Sequence, residues 1–294
     1  MIHLSNLFKY SGFSNKHYSV ILNKGDNSRI YPLINDGKGV ECAYIPGPEH
    51  GRSFVVGMFK DRFIISKGNG LSYTSYPFID THELGVDIWG LLLEQDAKRD
   101  FIIGNEIRNL GIKTNNMQYI LRIEDSIGLS DSKSDDIKPI LLQYDVECPY
   151  RISDIAFMPK RYLQFELNKW KDLNKYNREH EYLIAADVLV NNLRILHDNN
   201  ILHNAITTQN YTWALELLDF ELASSPSYPY SNTDWERHKC QLYDREIIHT
   251  YQVIVYIARA LRQEPDYNLI DEIFKANKFD ISKYSLISVT QSTI

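Results

Sequence analysis

Asn210 and Asp219 are the residues of this chain best suited to chemistry, because an amide oxygen and a carboxylate are ligands for a hard divalent cation such as Mg²⁺ or Mn²⁺. Asn210 lies in a polar loop, and Asp219 follows the apolar pair Leu217-Leu218, read as a short strand. Without a cation, Asn210 is a turn former and Asp219 caps the turn that follows it. The residue before Asn210 is Gln209, whose neutral amide cannot take a proton at pH 7 and so cannot serve as a general base. Lys67 closes a strand candidate and opens Lys67-Gly68-Asn69-Gly70. Its ammonium can neutralise phosphate oxygens or simply stand in water. Gly68 and Gly70 allow either a close backbone approach to a ligand or a tight turn. His203 reads as a structural histidine of the loop.

The elements that must position these residues change character along the chain. Two β-like runs, 53–58 and 62–66, are joined by Phe59-Lys60-Asp61 and predict a hairpin. Residues 71–90 form a polar and aromatic loop, and 91–109 have helical composition with Leu92, Phe101 and Ile102 among charges. Gly111 is the stop signal for that helix. Residues 119–123 and 140–144 read as strands on either side of a polar loop at 131–136. From about 151 the pattern turns helical: 179–197 place Tyr182, Ala186, Leu189, Leu193 and Leu196 on one face. Residues 245–262 do the same with Ile248, Tyr251, Ile254, Ile257, Ala258 and Leu261. A strand-rich first half and a helix-rich second half predict an α+β protein.

The chain has 294 residues, enough for one large domain or two lobes. A net charge of −6 gives no basic surface for nucleic-acid phosphates, so no nucleic-acid partner is expected. Cys42, Cys148 and Cys240 are odd in number and widely spaced, fitting neither a disulfide framework nor a zinc site. No apolar run approaches the roughly 18–20 residues of a membrane helix. These features predict a cytoplasmic protein without a membrane partner.

Four local matches, in order, resemble the selenoprotein O family, pseudokinase-fold proteins that transfer AMP from ATP to protein hydroxyls. Glu49-His50-Gly51-Arg52 keeps the last two residues of the family's Gly-Asp-Gly-Arg turn, and Ser66-Lys67-Gly68-Asn69-Gly70 is similar to its Leu-Lys-Gly-x-Gly. Arg99-Asp100-Phe101 and Leu110-Gly111-Ile112 match the family's Arg-Glu-Phe and Leu-Gly-Ile without a gap. His203 to Phe220 matches its His-Gly-x-Leu-Asn-Thr-Asp-Asn-x-Ser and Ile-Asp-Tyr-Gly, also without a gap. Arg161-Tyr162-Leu163-Gln164-Phe165-Glu166 is a weaker match to Arg-Phe-Gly-x-Phe-Glu. The matches span about residues 49–262, and the chain is shorter than typical members.

The resemblance implies a protein-kinase-like two-lobe fold, with a nucleotide cleft between a strand-rich N-lobe at 49–145 and a helical C-lobe at 146–294. Residues 1–48 are then an N-terminal appendage. It assigns ATP and Mg²⁺ (or Mn²⁺) as cofactors, Asn210 and Asp219 as metal ligands, and Arg52, Lys67, Gly68, Gly70, Asp100 and Arg161 to the nucleotide. Asp100 takes the place of the family's Glu as partner of Lys67, with an arm shorter by about 1.5 Å. Gln209 stands at the position of the family's Asp in catalysis, Asp154 where the family has Arg, and Leu71 where it has another Arg. Two functions follow as expectations: AMP transfer to an unidentified protein acceptor, or a catalytically inactive pseudokinase that binds and regulates a partner.

Overall fold

The computed structural model describes residues 8–24, 29–35, 41–45, 53–70, 91–125, 138–230, 233–282 and 284. It contains two compact units, Met1–Phe101 with Asn115–Pro149, and Ile102–Thr114 with Tyr150–Ile294. Sheet in the first and helices in the second make the protein α+β.

The first unit is built on an eight-stranded sheet. Its strands are β1 (Phe8–Asn15), β2 (Tyr18–Asn23), β3 (Leu33–Asn35), β4 (Glu41–Ile45), β5 (Ser53–Phe59), β6 (Arg62–Lys67), β7 (Asn116–Ile123) and β8 (Ile140–Val146), in the spatial order β2-β7-β8-β6-β5-β4-β1-β3. The paired strands run antiparallel. Four of these strands lie in the segment 1–48 that the sequence reading set apart as an appendage, and they pair into the same sheet. Ile34 packs with Tyr119, Leu121, Ile123 and Leu141, and Leu33 with Phe54, so that segment also helps fill the core. The signal missing from the sequence was non-local: a strand paired with residues a hundred positions away shows no partner in its own neighbourhood.

The β5–β6 hairpin closes through Lys60 and Asp61, both with positive φ (47° and 62°). Two consecutive left-handed residues give the type I′ twist that matches the twist of the strands they join. β6 runs between β5 and β8 and is buried from Phe63 to Lys67, which leaves Lys67 at the protected end of an interior strand.

The unit boundary falls within α1 (Glu94–Asn109). Ala97, Phe101, Ile103 and Ile107 are its buried apolar positions, and Asp100 lies among them at helical spacing. Ile102, the apolar residue next to Phe101, is only half-buried. The helix stops where the sequence signalled, at Gly111, whose φ of +86° lets its N–H reach the Arg108 carbonyl at 3.0 Å.

The second unit holds α2 (Lys160–Trp170), α3 (Glu181–Asp198), α4 (Thr233–Ala260) and α5 (Tyr267–Ala276). α3 is the central helix and packs on α2, α4 and α5. Its five predicted core positions are all buried, because a 3.6-residue apolar stripe has one way to leave water. α4 begins at Thr233, a dozen residues before the apolar stripe that marked it in the sequence. Trp170 at the end of α2 stacks on Trp213 (5.8 Å between centroids) and donates to its carbonyl at 2.9 Å, pinning α2 to the loop that carries the candidate residues. Among the described residues no helix is long and apolar enough to cross a membrane.

Candidate functional site

In the sheet unit, Lys67 and Asp100 meet. The Lys67 Nζ lies 3.0 Å from Asp100 Oδ2, and the two side chains are only 3% and 1% exposed. The shorter acid therefore reaches its cation from the buried face of α1. Desolvating both charges is expensive, and a buried pair of this kind commonly adds no more stability than well-packed apolar residues would. A lysine held in this way is oriented by its acid rather than free to swing in solvent.

The glycines beside Lys67 have a structural explanation. Gly68 has φ +95°, and a Cβ there would lie 2.4 Å from the Ile140 carbonyl oxygen and 2.9 Å from Leu92 Cβ. The close approach at Gly68 is thus made by the protein's own backbone and the Leu92 side chain. Gly70 is also left-handed, with φ +94°. Between them, Asn69 is fully buried and donates to the Leu33 carbonyl at 2.6 Å and to Ser66 Oγ at 3.0 Å, tying the turn to β3.

In the helical unit, the loop 203–220 is organised by backbone contacts. His203 Nδ1 accepts from the Ala205 N–H at 3.2 Å, so Nε2 carries the proton and donates to the Leu218 carbonyl at 2.8 Å. Its ring meets Phe220 edge-on at 5.2 Å. That is the structural role expected of this histidine. The Asn210 carbonyl accepts from the Leu218 N–H at 2.9 Å, which links the two ends of the loop. Asn210 Nδ2 donates to the Ala205 carbonyl at 2.8 Å, so the amide is oriented by its nitrogen and its oxygen faces the other way. Asp219 sits at φ +66°, a left-handed conformation that costs a non-glycine residue about 1–2 kcal/mol. Such strain persists where surrounding structure dictates the direction of a side chain, and it concentrates at ligand-holding positions. The donor types, an amide oxygen and a carboxylate, fit Mg²⁺ or Mn²⁺. The expected strand at 217–218 is absent: Leu217 makes single bridges to Thr114 and Tyr211, because the chain turns at Leu215 (φ +58°) and again at Asp219.

Other expected residues stand elsewhere. Gln209 is exposed, its N–H received by Thr207 Oγ1 at 3.3 Å. Arg161 is exposed in the first turn of α2, whose buried face is Tyr162, Glu166, Leu167 and Trp170. Asp154 is fully buried and accepts the Arg151 N–H at 2.7 Å, closing the 3₁₀ turn Ile152–Ala156, so its carboxylate has a structural partner. Arg52 and Leu71 lie outside the described residues.

Glu246 was missed in the sequence. It is 1% exposed on α4, accepts the Asn204 N–H at 2.5 Å and contacts His197 Nε2 at 2.8 Å. Arg245 donates to the Asn204 carbonyl at 2.8 Å, so both backbone groups of the residue after His203 are held by neighbours on one helix. The signal was available: Glu246, Thr250, Ile254 and Ile257 form one buried stripe, and a carboxylate in such a stripe needs a partner.

No protein-family model matches the chain, and no curated protein matches it. Among solved structures it is similar to the Toxoplasma gondii specific rhoptry antigen kinase domain, at 10% identity over 80% of this chain and 76% of that one, with a TM-score of 0.36. A likeness at that level supports no transfer of function. The resemblance to selenoprotein O rests on the quoted motifs alone.

Proposed function

We propose that this chain is a divergent nucleotide-binding protein of protein-kinase-like design, related to selenoprotein O. Lys67 is assigned to the phosphates of ATP, with Asp100 as the acid that orients it, and Asn210 and Asp219 to an accompanying Mg²⁺ or Mn²⁺. The observation that carries this reading is the buried Lys67–Asp100 pair at a strand end, 3.0 Å apart. A strand lysine paired with a helix acid is the arrangement by which kinase-like folds hold phosphates. A bound cation would supply charge neutralisation at the phosphates. His203, Glu246 and the Asn210–Leu218 backbone bond keep the loop that presents Asn210 and Asp219 in one conformation.

The finer reading is transfer of AMP to a protein hydroxyl. It requires attack at the α-phosphate and a group that takes the acceptor's proton. Gln209 cannot take it, and loss of a general base typically costs about 10²–10⁴ in rate. That favours a second reading, a binding module in which the nucleotide sets conformation and nothing is transferred.

Thermal melting with ATP and Mg²⁺ tests the common ground. A ligand that binds only the native state stabilises it, by about 2.7 kcal/mol at a hundredfold excess over Kd. A shift present in the parent and absent in Lys67→Met upholds nucleotide binding; no shift in the parent defeats it. ATP labelled at the α- or the γ-phosphate then separates the readings. Label arriving from the α-position on protein supports AMP transfer, and no transfer from either position leaves the binding module.

A further inference from the structure

The helical unit has a cavity that the nucleotide reading does not use. His249, Gln252, Tyr256 and Arg259 recur along α4 at spacings of three and four and so share one face of the helix. Residues 206–208, in the stretch leading to Asn210, lie against that face, and together they enclose about 270 Å³. The volume falls just below the roughly 300–1,000 Å³ usual for pockets that hold drug-sized molecules. It suits one amino-acid-sized group.

The lining is chemically one-sided. It offers the Arg259 guanidinium, the His249 imidazole, the Gln252 amide and the hydroxyls of Thr207 and Thr208, and the described residues that line it include no carboxylate. Arg259 is always charged and matches the fork of a carboxylate or phosphate. Val253 and Ile206 supply apolar wall, and the Tyr256 ring, 37% exposed, gives an aromatic surface at the edge. The His249 imidazole is held below its ordinary proton affinity, first by burial and then by Arg245 beside it; Glu246 and the Ile206 backbone act in the opposite sense.

We propose that the cavity between residues 206–208 and α4 is a binding site for an anionic group, a carboxylate or phosphate monoester, on an aromatic or apolar stem. Arg259 provides the charge, the Thr207 and Thr208 hydroxyls and the Gln252 amide donate hydrogen bonds, and Val253 and Ile206 contact the stem. The same chemistry is presented by a free small molecule or by one modified side chain of a polypeptide. Thr207 also accepts the Gln209 N–H, so an occupant touching Thr207 adjoins the turn that carries Gln209 and Asn210.

The test is isothermal titration without nucleotide, so its outcome is independent of ATP binding. The probes are phenyl phosphate, phosphotyrosine within a capped peptide, and benzamide as the uncharged control. Phenyl phosphate binds and benzamide does not. Arg259→Gln weakens phenyl phosphate by roughly ten- to a hundredfold, the loss of one charge-assisted contact of about 1.5–3 kcal/mol. Arg259 is exposed near the end of α4, and an unchanged far-ultraviolet spectrum checks that the helix survives its removal. His249→Gln is the second variant and weakens binding by a smaller factor. If the peptide binds as well as phenyl phosphate, the source is a polypeptide; if only phenyl phosphate binds, it is a small molecule. Equal binding of benzamide, or an affinity unmoved by both substitutions, overturns the assignment.

Discussion

Replacing Lys67 by methionine removes the cation 3.0 Å from Asp100 while keeping most of the side chain's volume. Both side chains are almost wholly out of water, so the carboxylate then sits in the sheet unit without the counterion it was folded against. Removing one partner of a buried pair costs about 3–5 kcal/mol. Replacing both partners by apolar residues of similar size is far milder, and often neutral. The single variant Lys67→Met is therefore less stable than the double variant Lys67→Met with Asp100→Leu, which is the reverse of additive behaviour. The chain has four tryptophans, Trp89, Trp170, Trp213 and Trp235, so its fluorescence does not single out the sheet unit. Amide hydrogen exchange on peptides covering β6 and β8 reads the sheet unit directly. At about 1.4 kcal/mol per decade, protection in Lys67→Met falls by roughly 10²–10⁴ where exchange needs the sheet to open, and the double variant recovers most of it. Equal protection in the single variant and the parent, or a double variant no better than the single, would refute the argument that the pair is buried and mutually dependent.

Three further outcomes are expected. Gly68→Ala destabilises the sheet unit by about 2–5 kcal/mol, since it adds left-handed strain to a clash with the Ile140 carbonyl, whereas Gly111→Ala, with open space around its Cβ, costs only the strain of about 1–2 kcal/mol; urea titrations compare them. Glu246→Ala leaves the Asn204 N–H and His197 without their acceptor and costs about 2–4 kcal/mol in the helical unit, and it also loosens protection of the amides at 203–210. His249 has a folded pKa below its ordinary 6.5, so the unfolded chain binds its proton first. Its contribution to stability is intact above pH 6.5 and is lost as the pH falls through the folded value; His249→Gln flattens that part of the stability–pH curve, read by the fluorescence of Trp170 and Trp213.

Much of the local structure was legible because it is a local property. The β5–β6 hairpin, α1 and its stop at Gly111, and the apolar stripe of α3 all follow from spacing along the chain, which dictates the face that leaves water. Elsewhere the reading needed contacts and backbone angles that composition does not carry. At Gly68 the sequence left a ligand approach and a tight turn open, and Ile140, seventy-two residues later, lies where a Cβ would go. Asp154 stands where the resembled family has an arginine, and only its bond to the Arg151 N–H shows it to be a turn cap. The run 217–218 has strand composition but reverses at residues on either side.

By itself the sequence determined an α+β chain with its strands first and its helices last; the pairing of Lys67 with Asp100 was implied by the family resemblance. Periodicity and turn chemistry are sufficient for the first, since each acts over a few residues. Only the tertiary structure decided that β1 to β4 join one eight-stranded sheet, that Glu246 holds the loop beside His203, and that Thr207, Thr208, His249 and Arg259 line one cavity. Those outcomes depend on which distant surfaces exclude water together, and a short stretch of chain carries no record of its distant partner.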